Sequence, residues 1–293
     1  MRNLWLSFWI IVFCANTFAQ NTLLWRFYKK DYPVSYVYGT MHSARIKKVD
    51  YHDSLDKIIH KSKHVFVELD SKQMEAASAE IMLKMILPSG TTMKTLLTSD
   101  EYSRYQKYVS KKLNSSAAML DYVHPMMITI MLTMHDEQLA VKDSSDVTVD
   151  QYIENQALVN KIEVSGIETP TEQVDALLSI SYKESVKYLM EMVDSTNSDG
   201  YSTDMLVSFY KEQKLDEIYK MSEDPKYKEG MSELQVPLID ARNKRITDRT
   251  IDHIKSTKQQ VLLAVGTMHL VGKNGVLNLL KTKGFIVEPV WEK

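Results

Sequence analysis

The tetrapeptide Gly-Thr-Met-His occurs twice, at 39–42 and at 266–269, each time directly after a strand-like run. Val34 to Tyr38 leads into the first copy and Gln260 to Val265 into the second. Downstream of each copy the apolar spacing becomes helical: Leu55, Ile58 and Ile59 within Asp50 to Lys63, then Val276, Leu279 and Leu280 within Gly275 to Thr282. Each unit returns to a short strand, Val65 to Leu69 and Phe285 to Val290. Four identical residues alone are a weak signal. Four identical residues in the same strand–motif–helix–strand setting, near both ends, read as an internal repeat.

The rest of the chain is organised around these ends. Thr22 to Tyr28 reads as a further strand, separated from Val34 by the turn Lys29 to Pro33. Between the repeats the spacing predicts helices over Gln73 to Ile86, Ser99 to Leu113, Pro125 to Leu139, Val149 to Asn160, Thr171 to Met192, Thr203 to Met221 and Glu233 to Ser256. Asp143 to Asp146 and Asp194 to Gly200 carry polar loop signals. One strand, Lys161 to Ile167, interrupts the helices. The expected fold is α/β: a mixed central sheet built from two strand–GxxH–helix–strand repeats at the chain ends, with a large helical middle over about 71–256 forming a cap.

Residues 1–19 stand apart. Arg2 supplies a basic start, Leu4 to Cys14 is almost wholly apolar, and Thr17-Phe18-Ala19 offers a small residue at a cleavage position. This is a secretory signal pattern, and the apolar run is short for a membrane span, which needs about 20 residues. A single domain over 20–293 and an exported protein, periplasmic in a bacterium or secreted, are therefore expected. Cys14 is the only cysteine, so the mature chain would have no disulfide, thiolate ligand or cysteine nucleophile. A net charge of −2 offers no basic footprint for nucleic acid.

The chemistry concentrates where strands end. Glycine permits a sharp turn or a close backbone approach, and three residues later a histidine projects past the strand. In open α/β sheets, ligands bind outside the carboxyl ends of strands, so two such turns place His42 and His269 at one site. Glu68 ends an apolar strand, where a carboxylate needs a partner, a proton or a metal ion. Glu168 follows the central strand in the same way. Two histidines with one or two carboxylates match the ligand set of a catalytic divalent ion: His42, His269, Glu68 and Glu168. Whether Glu68 is a ligand or a general base stays open. Arg242 lies on a charged helix with Lys244, Arg245, Asp248 and Arg249; a clamp on a carboxylate and a solvated face are even readings for Arg242, and the solvated face is favoured for the others. Tyr38 flanks the first motif, as a pocket wall or as packing. Met126, Met127, Met131 and Met134 suit core packing of a lid helix better than an adaptable groove. Glu288 matches Glu68 by position in the second repeat, but Pro289 follows it near the chain end and it carries no expected role. No Gly-x-Ser-x-Gly, P-loop, dinucleotide fingerprint or His-Glu-x-x-His occurs.

In order along the chain, Gly39-Thr40-Met41-His42, Val67-Glu68-Leu69, Gly166-Ile167-Glu168-Thr169 with Glu172-Gln173, Arg242-Asn243 and Gly266-Thr267-Met268-His269 resemble the TraB/GumN family. Asp150 also falls where that family tends to carry an aspartate. Ile167 stands where its leucine is usual, which keeps an apolar residue before the carboxylate. The family includes the Tiki metalloproteases, which cleave Wnt proteins, and it is distantly similar to the ChaN haem-binding proteins and the erythromycin esterases. The resemblance implies a metal-dependent hydrolase acting on peptides or proteins, with manganese or cobalt as the ion and zinc as a further possibility. It puts His42, His269 and Glu68 at the centre and Glu168 and Arg242 in support. A metal-free, esterase-like hydrolase and a non-catalytic haem- or ligand-binding protein are the alternatives.

Overall fold

The computed structural model describes residues 22–114, 116–140, 147–194, 203–225 and 233–291. The leader at 1–19, the loop at 143–146 and nearly all of the loop at 194–200 fall outside the described residues. Six strands form one sheet: β1 (Leu24–Tyr28), β2 (Ser35–Thr40), β3 (His64–Val67), β4 (Glu163–Gly166), β5 (Val261–Gly266) and β6 (Ile286–Pro289). The helices are α1 (Leu55–Lys61), α2 (Ser71–Lys84), α3 (Met93–Leu96), α4 (Ser99–Leu113), α5 (Pro125–Ala140), α6 (Val149–Val159), α7 (Pro170–Leu178), α8 (Tyr182–Asp194), α9 (Thr203–Lys211), α10 (Leu215–Glu223), α11 (Ala241–Thr257) and α12 (Val276–Thr282). A π-helical stretch, Val236–Asp240, leads into α11.

The sheet is mixed, in the order β4-β3-β5-β2-β1-β6. The first four strands run parallel, and β1 is antiparallel to both its neighbours. The two repeats interleave: β2 crosses through α1 to β3 past β5, and β5 crosses through α12 to β6 past β2 and β1. The motifs therefore lie on adjacent strands, with Gly39 paired to Val265 and Thr40 to Gly266. Every residue of β3 is buried, as is nearly all of β5, because both faces of these central strands are covered. On one face α11 places His253 against His64 and Phe66. The main core joins residues of β1, β2, β3 and β5 to α1, α6, α11 and α12. A separate core of Met93, Leu97, Tyr105, Val109, Ile128, Leu132 and Leu189 binds α3, α4, α5 and α8 into a helical subassembly beside the sheet.

Local chemistry explains where helices stop. Two long expected helices are each divided. Thr171 to Met192 breaks because the Ser181 hydroxyl accepts from the Glu184 N–H and starts α8 afresh. Thr203 to Met221 breaks at Gln213, which takes a left-handed φ of 57°. Its amide accepts from the Leu23 N–H and donates to the Asp50 carbonyl, tying that corner to the start of the sheet. Of the four methionines expected as core, Met126 and Met127 are buried, whereas Met131 and Met134 face outward on α5.

Candidate active site

The carboxyl ends of β4, β3, β5 and β2 form one edge, and a candidate site residue follows each strand. Glu68 comes directly after β3, and its Oε1 accepts the Gly266 N–H at 2.6 Å. A Cβ on Gly266 would stand 3.1 Å from that oxygen, and one on Gly39 would stand 2.5 Å from Leu270 Cδ1. Neither glycine has a positive φ, so the motif uses glycine for close approach rather than for a special turn. The threonines differ in role. Thr267 Oγ1 donates to the Thr40 carbonyl at 2.8 Å and fastens one motif to the other, while Thr40 Oγ1 donates to Asp150 Oδ1 at 2.6 Å. Tyr38 is fully buried beneath the first motif. Its neighbour Tyr210 donates to the Gly39 carbonyl at 2.8 Å.

Arg242 organises the carboxylates. Its Nη2 donates to Glu68 Oε2 and to Glu168 Oε2, both at 2.6 Å, and its Nε donates to Glu168 Oε2 at 2.9 Å. Nη1 is held by the Leu238 carbonyl in the π-helical stretch. Gln173 Nε2 bridges the same two carboxylates at 3.1 and 3.3 Å. Arg245 closes on Glu168 Oε1 at 3.2 Å, and Arg249 grips Glu172 at 2.6 Å. Arg245 and Arg249 are thus half-exposed supports, not the purely solvated face expected for them. Burial by itself would raise the Glu68 pKa. The charges of His269, Arg242 and His42 and the Gly266 N–H outweigh it and bring the group down to about 2.

His269 is buried, and its Nδ1 lies 2.6 Å from Asn243 Oδ1. Asn243 Nδ2 donates to the Asn274 carbonyl, which turns the amide so that Oδ1 meets the imidazole. Nδ1 must therefore carry the proton, and Nε2 presents a lone pair. Burial lowers the His269 pKa further, against the pull of Glu68. That lone pair faces Glu68 Oε1 at 3.7 Å. His42 is placed differently. Its side chain is 63% exposed and its Nδ1 pairs with Asp150 Oδ2 at 2.8 Å. Asp150 is the main reason that its pKa rises to about 9. The charges of His42 and His269 act on each other across the site.

Among the described residues, no three His, Cys, Asp or Glu side chains are gathered closely enough to hold an ion. The donor chemistry at one point nevertheless suits a cation. An imidazole lone pair and an ionised carboxylate face each other across 3.7 Å with no proton to share, and the other imidazole nitrogen is anchored by an amide oxygen, as metal-ligating histidines are. Glu168 does not share this character, because both of its oxygens are engaged by guanidinium groups. Glu288 sits on the far edge strand, paired with Arg26. Gln173, Asn243 and Asp150 stand in the motifs of the sequence without an assigned role, and the structure supplies their partners: Glu68 and Glu168 for Gln173, His269 for Asn243, Thr40 and His42 for Asp150.

Known proteins bear on this site. The sequence is 26% identical over 322 residues to a protein named Metalloprotease TIKI homolog from Amphimedon queenslandica, covering 94% of this chain and 62% of that protein. It is 22% identical to Metalloprotease TIKI2 of Danio rerio, over 92% of this chain and 61% of that protein. It is 23% identical to a Metalloprotease TIKI homolog of Nematostella vectensis, over 92% and 67%. The chain spans about three fifths of the length of the first two relatives. No solved structure matches it. Among the described residues, no helix is long and apolar enough to cross a membrane. A model of the TraB/PrgY/gumN family matches residues 23–289, from the first strand to the last, and the chain belongs to that family.

Proposed function

We propose that this protein is an exported, metal-dependent hydrolase of peptides or proteins. The observation that carries the reading is the His269 Nε2 lone pair facing the ionised Glu68 Oε1 at 3.7 Å, with the tautomer set by Asn243. The names of the relatives support a metalloprotease-like activity, and the leader pattern at 1–19 supports export.

In this reading His269 and Glu68 would hold the ion, and His42, paired with Asp150 and outside any group of three donors among the described residues, would join them on giving up its proton; the ion is manganese or cobalt by the family resemblance, with zinc as a further candidate. Such an ion activates water and polarises the carbonyl to be cleaved. The chain's own groups do the rest. Asn243 keeps the His269 proton on Nδ1, so the lone pair stays aimed into the site. Arg242 offsets the charge of Glu68 and Glu168 together, which lets two carboxylates stay ionised side by side. Glu168 is a buttress for Arg242 rather than a ligand. Glu68 is either a ligand or the base that takes a proton from water, and it is ionised at any working pH.

Elemental analysis tests the reading. Wild-type protein and the His42→Ala/His269→Ala double variant are incubated with manganese, cobalt and zinc, and then desalted. Near-stoichiometric metal is expected in the wild type and none in the variant. Metal in neither protein would favour the esterase-like or haem-binding alternatives, which ester substrates and a Soret band would then separate. Gly266→Ala gives a finer test. Its Cβ presses on Glu68 Oε1, so metal affinity is expected to fall about tenfold with the fold retained. Unchanged affinity would show that the exact seat of the Glu68 carboxylate is immaterial.

A further inference from the structure

Helix α5 is apolar on two sides. Ile128 and Leu132 are fully buried in the core of the helical subassembly, while Met131 and Met134 are 38% and 65% exposed. Met131, Met134 and Gln138 recur at i, i+3 and i+7, so they share one helix face. That face is one wall of a groove of about 550 Å³. Leu113, Ala44 and Thr148 contribute to the other walls, and His42 itself lines it.

We propose that this groove is a substrate subsite that takes a large apolar side chain, leucine, methionine or phenylalanine, of an extended peptide whose scissile bond lies at His42. The inference rests on the hydrolase reading above and adds a specificity to it. Continuity is the first argument: a peptide bond presented to His42 has its neighbouring side chains at the groove. The wall chemistry is the second. Unbranched thioethers adapt to apolar groups of different shape, and they line surfaces that accept several partners. Charge is the third: the groove's carboxylate, Glu137, is occupied by the Ser43 hydroxyl at 2.6 Å and lies 3.7 Å from Arg45. A carboxylate already engaged in this way repels an apolar guest less than a bare one would. Size is the fourth. The volume falls within the range of about 300–1,000 Å³ typical of small-ligand sites, which admits a side chain with its flanking backbone.

The test uses internally quenched decapeptides of alanine, serine and glycine that carry a single Leu, Met, Phe or Asn at each position in turn. Cleavage is followed with the metal-loaded wild type. Binding of the same peptides, end-labelled, is followed by fluorescence anisotropy with wild type in chelator. At one defined position an apolar residue is expected to raise both affinity and kcat/KM about tenfold or more over Asn. Met131→Asn/Met134→Asn should erase that preference. Met82→Asn, on α2 and 68% exposed, should not. Cleavage without an apolar preference, or a preference that survives in the double variant, overturns the subsite and leaves the hydrolase standing. A Met-dependent preference in binding with no cleavage keeps the groove and overturns the hydrolase. Neither binding nor cleavage of any peptide overturns both.

Discussion

Replacing Arg242 with methionine is expected to destabilise the folded protein by about 3–5 kcal/mol. Arg242 is the shared partner of Glu68 and Glu168, and all three side chains are nearly or fully withdrawn from water. Removing the guanidinium leaves two buried carboxylates with only Gln173, Arg245 and the Gly266 N–H to hold them. For a chain of this size the loss corresponds to a fall in melting temperature of roughly 6–20 °C. Urea unfolding of Arg242→Met beside wild type measures it. Adding Glu168→Gln to the variant should recover part of the loss, since one uncompensated charge is then gone. A variant within about 1 kcal/mol of wild type would mean that water or protons satisfy the carboxylates without Arg242. Acid titration of the wild type reads the same network. Glu68 and Glu172 are lowered from an ordinary 4.5 to about 2, so the stability they contribute is complete above the upper value. It is lost as the pH falls through the lower one.

Glu68→Gln and His269→Ala are each expected to reduce turnover of a cleavable peptide about a thousandfold or more, and His42→Ala likewise, with the fold kept. Glu68→Gln preserves the side-chain shape and one oxygen for Gly266 or Arg242, so its loss would reflect charge rather than packing. Metal content separates the two roles of Glu68. Bound metal without turnover assigns it as the base, and loss of the metal assigns it as a ligand. Full turnover in either histidine variant would break the shared site on which the proposed function depends.

Much of this protein was legible locally. The period of apolar residues located every strand of the sheet. It matched α4 at both ends, where Thr98 and Glu101 form a capping box and Asn114 closes the helix in a left-handed conformation. The doubled motif brought His42, His269 and Glu68 to one sheet edge because strand ends and turn residues are local properties. The divided helices were not legible, because Ser181 and Gln213 interrupt a periodicity that runs on past them. Nor were the outward methionines of α5, since an unpartnered apolar face has the same spacing as a buried one.

The sequence by itself determined the α/β class, the repeat, the family and the residues of the candidate site, all of which are read from short local patterns. Only the tertiary structure decided how those residues are partnered. Glu68 meets Gly266 across 198 positions and Arg242 across 174, and Thr40 meets Asp150 across 110. No periodicity reports contacts of that separation. They exist because β5 inserts between β2 and β3, and that interleaving turned Glu168 into the partner of Arg242, sent His42 to Asp150, and left the lone pair of His269 facing Glu68.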